Sequence, residues 1–494
     1  TLLALALGFQ GTAAWANCTT SGSSTTCTAA GGAHGATVGG GSTGHNKQVT
    51  VQAGARIEAG DKAAISVGNN SQVQIQGGAV VQSTVNTAAS GQYAKTLEAA
   101  SNNNISIQEG AQLLAKGSAS QSSALGLSGA GNTVTNRGTI RADNAAAIWV
   151  TANTAGANTI DNYGTIETVL NGGYANAIGS TRNNNATGAG VTVRNHANGR
   201  IVGNVKFEAG DDSVILDGGS TITGSLNGGS GNNSLTLKAG DGTLGRAIRN
   251  FGTITKQEAG TWTLNGQVGR NDNNLKSTVK VEGGTLALRG DNSGATQGGV
   301  LQVSAGATAD VTAASAMQSI SNAGTVQFTQ DSNAAYAGVL SGAGNIIKHG
   351  SGDLALTGNN THTGKVVVEA GSLSVSAANN LGGAGSSVQL KGGALALKKT
   401  IAVNGGLTLD PGAQTLIIEP GTTTTWQGQV TGSGKLVTQG GTLVLEHASN
   451  TYSGGTEINS GTLRAAHDAS LGSGTLALKN SQLAATDSFT ATRA

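Results

Sequence analysis

One stretch of this chain occurs about three times, and that repetition restricts the possible folds more than any other feature. Its clearest copy runs from Gly432 to Leu463. It contains Gly432-Ser433-Gly434-Lys435-Leu436, Gly441-Thr442-Leu443-Val444-Leu445, Asn450-Thr451-Tyr452-Ser453-Gly454-Gly455-Thr456 and Gly461-Thr462-Leu463. Ninety residues upstream stand Gly342-Ala343-Gly344, Asn360-Thr361-His362-Thr363-Gly364 and Gly371-Ser372-Leu373. A worn third copy reads Gly260-Thr261-Trp262-Thr263-Leu264-Asn265-Gly266, then Gly283-Gly284-Thr285-Leu286-Ala287-Leu288. Each copy is a set of short strands with apolar residues at period 2, separated by Gly and Asn turns. No copy can bury its apolar side alone, so copies must stack.

Shorter spacings upstream carry the same message. Val49-Thr50-Val51 with Gly54-Ala55 and Ile57 returns as Val73-Gln74-Ile75, Gly78-Ala79 and Val81. It returns again as Ile105-Ser106-Ile107, Gly110-Ala111 and Leu113. Gly210-Asp211-Asp212-Ser213-Val214-Ile215-Leu216 is matched, position for position, by Gly231-Asn232-Asn233-Ser234-Leu235-Thr236-Leu237. Asn-x-Gly-Thr-Ile/Val recurs at Asn136, Asn162, Asn250 and Asn322. Periods of about 21–33 residues without helical periodicity predict the coils of an all-β, right-handed parallel β-helix, a solenoid.

Composition fits a narrow core. The chain has 494 residues with 80 Gly, 2 Pro, 3% aromatic and 11% charged residues. A compact globular domain carries about 25% charged residues. In a solenoid, small and β-branched side chains stack in rows, and Gly or Asn turns each corner at positive φ. The regular Val/Ile/Leu alternation argues against disorder. At about 4.8 Å between strands, the predicted rod is on the order of 100 Å long. A formal net charge of +2, from 28 basic and 26 acidic residues, gives no electrostatic case for nucleic acid as a partner.

Residues 1–16 are an apolar run ending in Ala14-Trp15-Ala16, the pattern of the second half of a secretory signal peptide. The basic start and an initiator Met are missing, so the chain reads as truncated. Cys18 and Cys27 follow at once, and in an exported chain they predict one disulfide loop in an N-terminal cap segment, residues 17–45. Beyond it, residues 46–255 read as a β-helix with irregular coils and 256–494 as a β-helix built on the long repeat.

The unit Gly-x-Gly-x-Leu, Gly-Thr-Leu-x-Leu, Asn-Thr-Tyr-Ser-Gly-Gly-Thr, Gly-Thr-Leu resembles the autotransporter-associated β-strand repeat. That repeat occurs in passenger domains of type V secreted proteins of Gram-negative bacteria. The likeness is closest over 432–463, next over 342–373 and partial over 260–288. Residues 46–255 are similar in style only. The resemblance implies a signal peptide, a right-handed β-helical passenger and a C-terminal translocator barrel on the same full-length chain. It also implies export to the cell surface or outer membrane, possible release, and folding from the C-terminal side. No barrel pattern of alternating ten-residue strands with aromatic girdles lies within these 494 residues.

Candidate chemistry is sparse. Arg289-Gly290-Asp291 is an Arg-Gly-Asp tripeptide, a short cell-attachment motif, but Gly290 is also the glycine of the repeat's Gly-Thr-Leu-x-Leu-x-Gly. Glu208, Asp211, Asp212 and Asp217 are the densest acidic cluster, and paired carboxylates suit glycan cleavage. One coil on, Asn232 and Asn233 replace Asp211 and Asp212, so the position asks for a turn-forming residue rather than a charge. Gly228 to Thr236 is similar to a calcium-binding nonapeptide, with Asn233 where the Asp should be. Gly39 to His45 lacks the Lys-Ser/Thr of a phosphate loop. No serine nucleophile with a placed His and Asp emerges. His362 occupies the slot of Tyr452, which predicts a stacking residue. No cofactor or metal is expected. The functional expectation is a non-enzymatic adhesin or host-interaction protein, binding host cell surface, matrix or other bacteria along its coils. The alternatives are a β-helical glycan-degrading enzyme and a β-helix exported by a separate transporter.

Overall fold

The computed structural model describes residues 16–30, 34–86, 94–119, 121–151, 156–169, 176–181, 189–269, 277–292 and 299–486. Positions 1–15 of the predicted signal segment lie outside them. The chain divides into two compact units, Thr1–Phe251 and Gly252–Ala494. Both are parallel β-solenoids. Among the described residues the only helical pieces are two 3-10 turns, Ala378–Leu381 and Asp468–Leu471. No helix among them is long and apolar enough to cross a membrane.

The first unit opens on an antiparallel hairpin, Asn17–Ser21 with Ser24–Thr28. Its second strand runs parallel to Gln48–Val51 and so starts the first of three faces. On that face Val49 pairs with Val73 and Val73 with Ile105, the register that the repeated motifs predict. Further along, Val134 pairs with Ile160, and Ser213 with Ser234. The second face stacks Ile57, Val81, Leu113, Ile140 and Ile166 in one inward column. The third stacks Ile65, Leu97, Leu125, Ile148 and Ile178. All of these side chains are buried, and each contributes about 1.5–3 kcal/mol relative to exposure.

Side-chain amides close the corners. Ser71 N–H donates to Asn103 Oδ1, Asn103 N–H to Asn132 Oδ1 and Asn132 N–H to Asn158 Oδ1, at 2.8, 2.9 and 3.0 Å. A second ladder lies inside the core. Asn136 Nδ2 donates to Asn162 Oδ1 at 2.8 Å, and Asn162 Nδ2 to Asn195 Oδ1 at 2.7 Å. Ile107 precedes this column and Leu216 follows it, so three amides occupy positions that are elsewhere apolar. Buried polar groups persist only when hydrogen-bonded, and stacking identical amides coil on coil meets that demand.

In the second unit the coils shorten. Thr308 pairs directly with Thr325, and Ile346 with Val366. The shortest turn that the repeated motifs predict, Ser213 onto Ser234, is longer than either. The expected lower limit on the coil period is therefore too high for this unit. The long repeat is also not one coil. Within one copy Ile346 pairs with Val366 and Leu354 with Leu373, so a copy already stacks one turn on the next. The offset between the two clearest copies recurs in the two 3-10 turns, which begin at Ala378 and Asp468. One difference separates the copies. Asn345–His349 and Asp353–Leu356 are two strands, whereas their counterparts merge into one strand, Lys435–Leu445.

Candidate functional site

The Arg-Gly-Asp tripeptide follows the strand Thr285–Leu288 at a corner. The Arg289 guanidinium folds onto the next turn. It donates to Leu288 O at 3.0 Å and Asp310 O at 2.9 Å and forms an ion pair with the Asp310 carboxylate. Gly290 is buried, and a Cβ there would lie 2.2 Å from Gly266 O in the preceding turn. Glycine stacked on glycine recurs at Gly358 over Gly338 and Gly364 over Gly344. Coil stacking thus requires Gly290, and Asp291 is exposed beside it.

The acidic residues are committed to the backbone or to ion pairs. Asp212 is buried; its Oδ1 accepts from Val191 N–H at 2.6 Å, and its own N–H donates to Asn233 Oδ1 at 2.8 Å. Asp211 Oδ1 accepts from Asn232 N–H at 2.8 Å. Asp217 meets His196 at 3.1 Å and Glu208 meets Lys206 at 2.9 Å. The same ladder takes Asn233 out of the calcium-like nonapeptide. Among the described residues no group of three or more His, Cys, Asp or Glu gathers to hold a metal.

Cys18 and Cys27 are direct cross-strand partners in the first hairpin and are joined by a disulfide. His362 and Tyr452 are both fully buried in equivalent corners. Asn360 Nδ2 donates to Asn380 O at 2.7 Å beside the first, as Asn450 Nδ2 does to Ser470 O at 2.6 Å beside the second. The Tyr452 hydroxyl lies 2.6 Å from Thr456 Oγ1. At the matching place beside His362 stands Val366, and neither ring nitrogen of His362 has a hydrogen-bond partner. Burial pushes the His362 imidazole below its usual value. The ring fills the corner by packing.

The most distinctive outward cluster is one that the motifs do not announce. Arg137, Tyr163 and His196 each follow a core-ladder asparagine, so three turns present them in one column. The Arg137 guanidinium lies 4.1 Å from the Tyr163 ring centroid. Tyr163 and His196 stack with centroids 3.9 Å apart and planes 2° from parallel. His196 also bridges Asp161 at 3.2 Å and Asp217 at 3.1 Å, and Arg194 meets Asp161 at 3.5 Å. A shallow polar groove of about 320 Å³ lies on the second face, lined by Gln112, Lys116, Arg141, Asp143 and Glu167 among others. Another, of about 250 Å³, lies beside the disulfide hairpin. The Arg137–Tyr163–His196 column spans three turns, and the groove on the second face is lined by three stacked strands.

Two comparisons bear on this arrangement. Residues 346–375 and 438–465 match the passenger-associated-transport-repeat family. Over 94 residues the chain is 36% identical to the adhesin BmaC autotransporter of Brucella suis biovar 1 (strain 1330), a match covering 19% of this chain and 3% of that protein. The chain carries autotransporter passenger repeats on a β-solenoid and is exported to the cell surface or outer membrane.

Proposed function

We propose that this autotransporter passenger is a non-enzymatic adhesin that engages a host surface, matrix or other bacteria through many weak contacts along its coils. The likeness to an adhesin passenger carries the reading. The outward column of Arg137, Tyr163 and His196 supports it, because a repeated coil displays such groups in register over many turns. Linked weak sites gain avidity from effective concentration without any single tight pocket. A translocator barrel on the same full-length chain supplies export. Against the glycan-enzyme reading, Glu208, Asp211, Asp212 and Asp217 already serve the ladder and ion pairs. The Arg-Gly-Asp tripeptide is a coil corner in this reading, with its arginine held by Asp310.

The test is attachment of the purified chain to cells with and without integrins. Attachment is expected, and deletion of whole coils reduces it gradually. Arg289→Ala and Asp291→Ala each change it less than about twofold, the range of exposed positions outside a site. Integrin-dependent loss in either variant makes the tripeptide the site. A chain that attaches to no surface removes the adhesin reading.

A further inference from the structure

Two lysines in the second unit point into the solenoid. In Thr253-Ile254-Thr255-Lys256 and in Ile346-Ile347-Lys348, lysine shares the parity of a buried isoleucine. Lys256 and Lys348 are 0% and 1% exposed, which is rare for lysine unless its charge is answered. Here backbone carbonyls answer it. Lys348 Nζ donates to Gly350 O at 2.6 Å, His349 O at 3.0 Å and Ala370 O at 3.1 Å, with Gln330 O a longer fourth contact at 3.4 Å. Those oxygens come from three successive turns, since Thr329 pairs with His349 and Lys348 with Val368. Lys256 Nζ is held by Gln257 O, Glu258 O, Ala259 O and Gly283 O at 2.7–3.4 Å.

The corner explains the lysine. Lys256 precedes Trp262 by six residues, and Lys348 precedes Leu354 by six. In the clearest copy, Gly432 to Leu463, Thr438 precedes Leu443 by five; the strand Lys435–Leu445 runs through without a break, and no lysine stands there. A six-residue corner can also close on itself, as Ala307 N–H does on Ser304 O at 3.1 Å. The lysine corners instead turn carbonyls inward, where they need a donor.

We propose that these corners are cages for a small monovalent cation, and that the chain fills each with its own lysine ammonium. Four neutral carbonyl oxygens suit a primary ammonium or potassium, whereas divalent ions want carboxylates. The nearby carboxylates are occupied: Asp353 accepts from Ser374 Oγ at 2.7 and 2.8 Å, and Asp331 from Ser351 N–H at 3.2 Å. Because Lys348 ties three turns at one point, it pins their register as well as filling space.

The experiment is hydrogen exchange on the 494-residue chain, read over residues 326–375. Lys348→Met keeps the stem and removes the ammonium. It is expected to raise exchange of the amides in this corner roughly tenfold or more, as four buried acceptors lose their donor. Lys391→Met, at an exposed ion pair, is expected to change nothing. Lys348→Ala empties the cage, and propylammonium chloride is expected to restore protection where tetramethylammonium chloride does not. Wild-type exchange in Lys348→Met overturns the proposal. So does equal rescue of Lys348→Ala by both salts, which reports ionic strength alone, or rescue by neither, which leaves no cation site.

Discussion

The two units solve one packing problem with different chemistry. In the first, turns vary widely in length: Asn162 pairs with Asn195 after 33 residues, and Ser213 with Ser234 after 21. Its corners and core are tied by asparagine side chains repeated at matching positions. In the second, turns are shorter and span a narrower range, from Thr253 on Thr278 to Thr308 on Thr325, and pairs such as Ile346 with Val366 and Leu436 with Thr456 lie between. There single residues such as Lys348 and His362 fill individual corners. The contrast teaches that register in a solenoid needs some polar device at its corners. A ladder spreads that device over many turns, whereas a plug concentrates it in one.

The largest expected effect tests the ladder. Asn162→Leu leaves Asn136 and Asn195 without their shared partner and is expected to cost about 3 kcal/mol in chemical denaturation. Changing Asn136, Asn162 and Asn195 together to Leu is expected to cost less than the single change, because Ile107 and Leu216 show that the column accepts apolar residues. A triple variant at least as damaged as the single would erase the distinction between ladder and plug.

Next in size is the end of the first unit. Cys18→Ser is expected to lower local stability by about 2–3 kcal/mol, seen as faster exchange in the hairpin and in Gln48–Val51, with the second unit unaffected. Intact mass before and after reduction reads the bond itself, and two free thiols in oxidised protein would refute it.

The plug side is tested at His362. His362→Tyr places a hydroxyl against Val366 and is expected to cost about 1–2 kcal/mol. Adding Val366→Thr recreates the Tyr452–Thr456 pair and recovers about half of that. The pH dependence has a defined sign. The buried imidazole has a lowered folded value, so the unfolded state binds more protons as pH falls below about 6.5. Stability of the second unit therefore declines below that pH, by at most about 1.4 kcal/mol per pH unit, and His362→Tyr flattens the decline. A wild-type chain with no loss between pH 6.5 and 5 would show that the ring finds a partner on protonation.

The smallest effect is expected for Asp211→Asn with Asp212→Asn. Each replacement keeps the accepting oxygen that Asn232 and Val191 use, so stability changes by less than about 0.5 kcal/mol. Loss of a glycan-cleaving turnover in that variant would revive the enzyme reading.

Coil register was legible in the sequence because the inward rows repeat their own residues. Val49, Val73 and Ile105, or Ser213 and Ser234, mark their partners by motif alone. The Arg137–Tyr163–His196 column was not, because three unlike residues carry no repeat; their only signal was the asparagine before each. Lys348 was legible in principle, since it sits at the inward parity of Ile346. Charge makes such a residue read as surface unless acceptors are known to face it, and backbone carbonyls leave no trace in a sequence.

The uneven turns of the first unit bear on how such a protein changes over generations. The two turns compared above differ widely in length, yet the hydrogen-bonded strands at either end are matched residue for residue. Length gained between two strands leaves their register intact, since loop closure grows only slowly more costly with length. Heritable insertions between matched strands can therefore accumulate without disturbing the ladder that joins them. The glycine-on-glycine corners are the opposite case. With a neighbouring carbonyl 2.0 Å from where a Cβ would sit at Gly358 or Gly364, they tolerate no side chain and should be the slowest positions to vary.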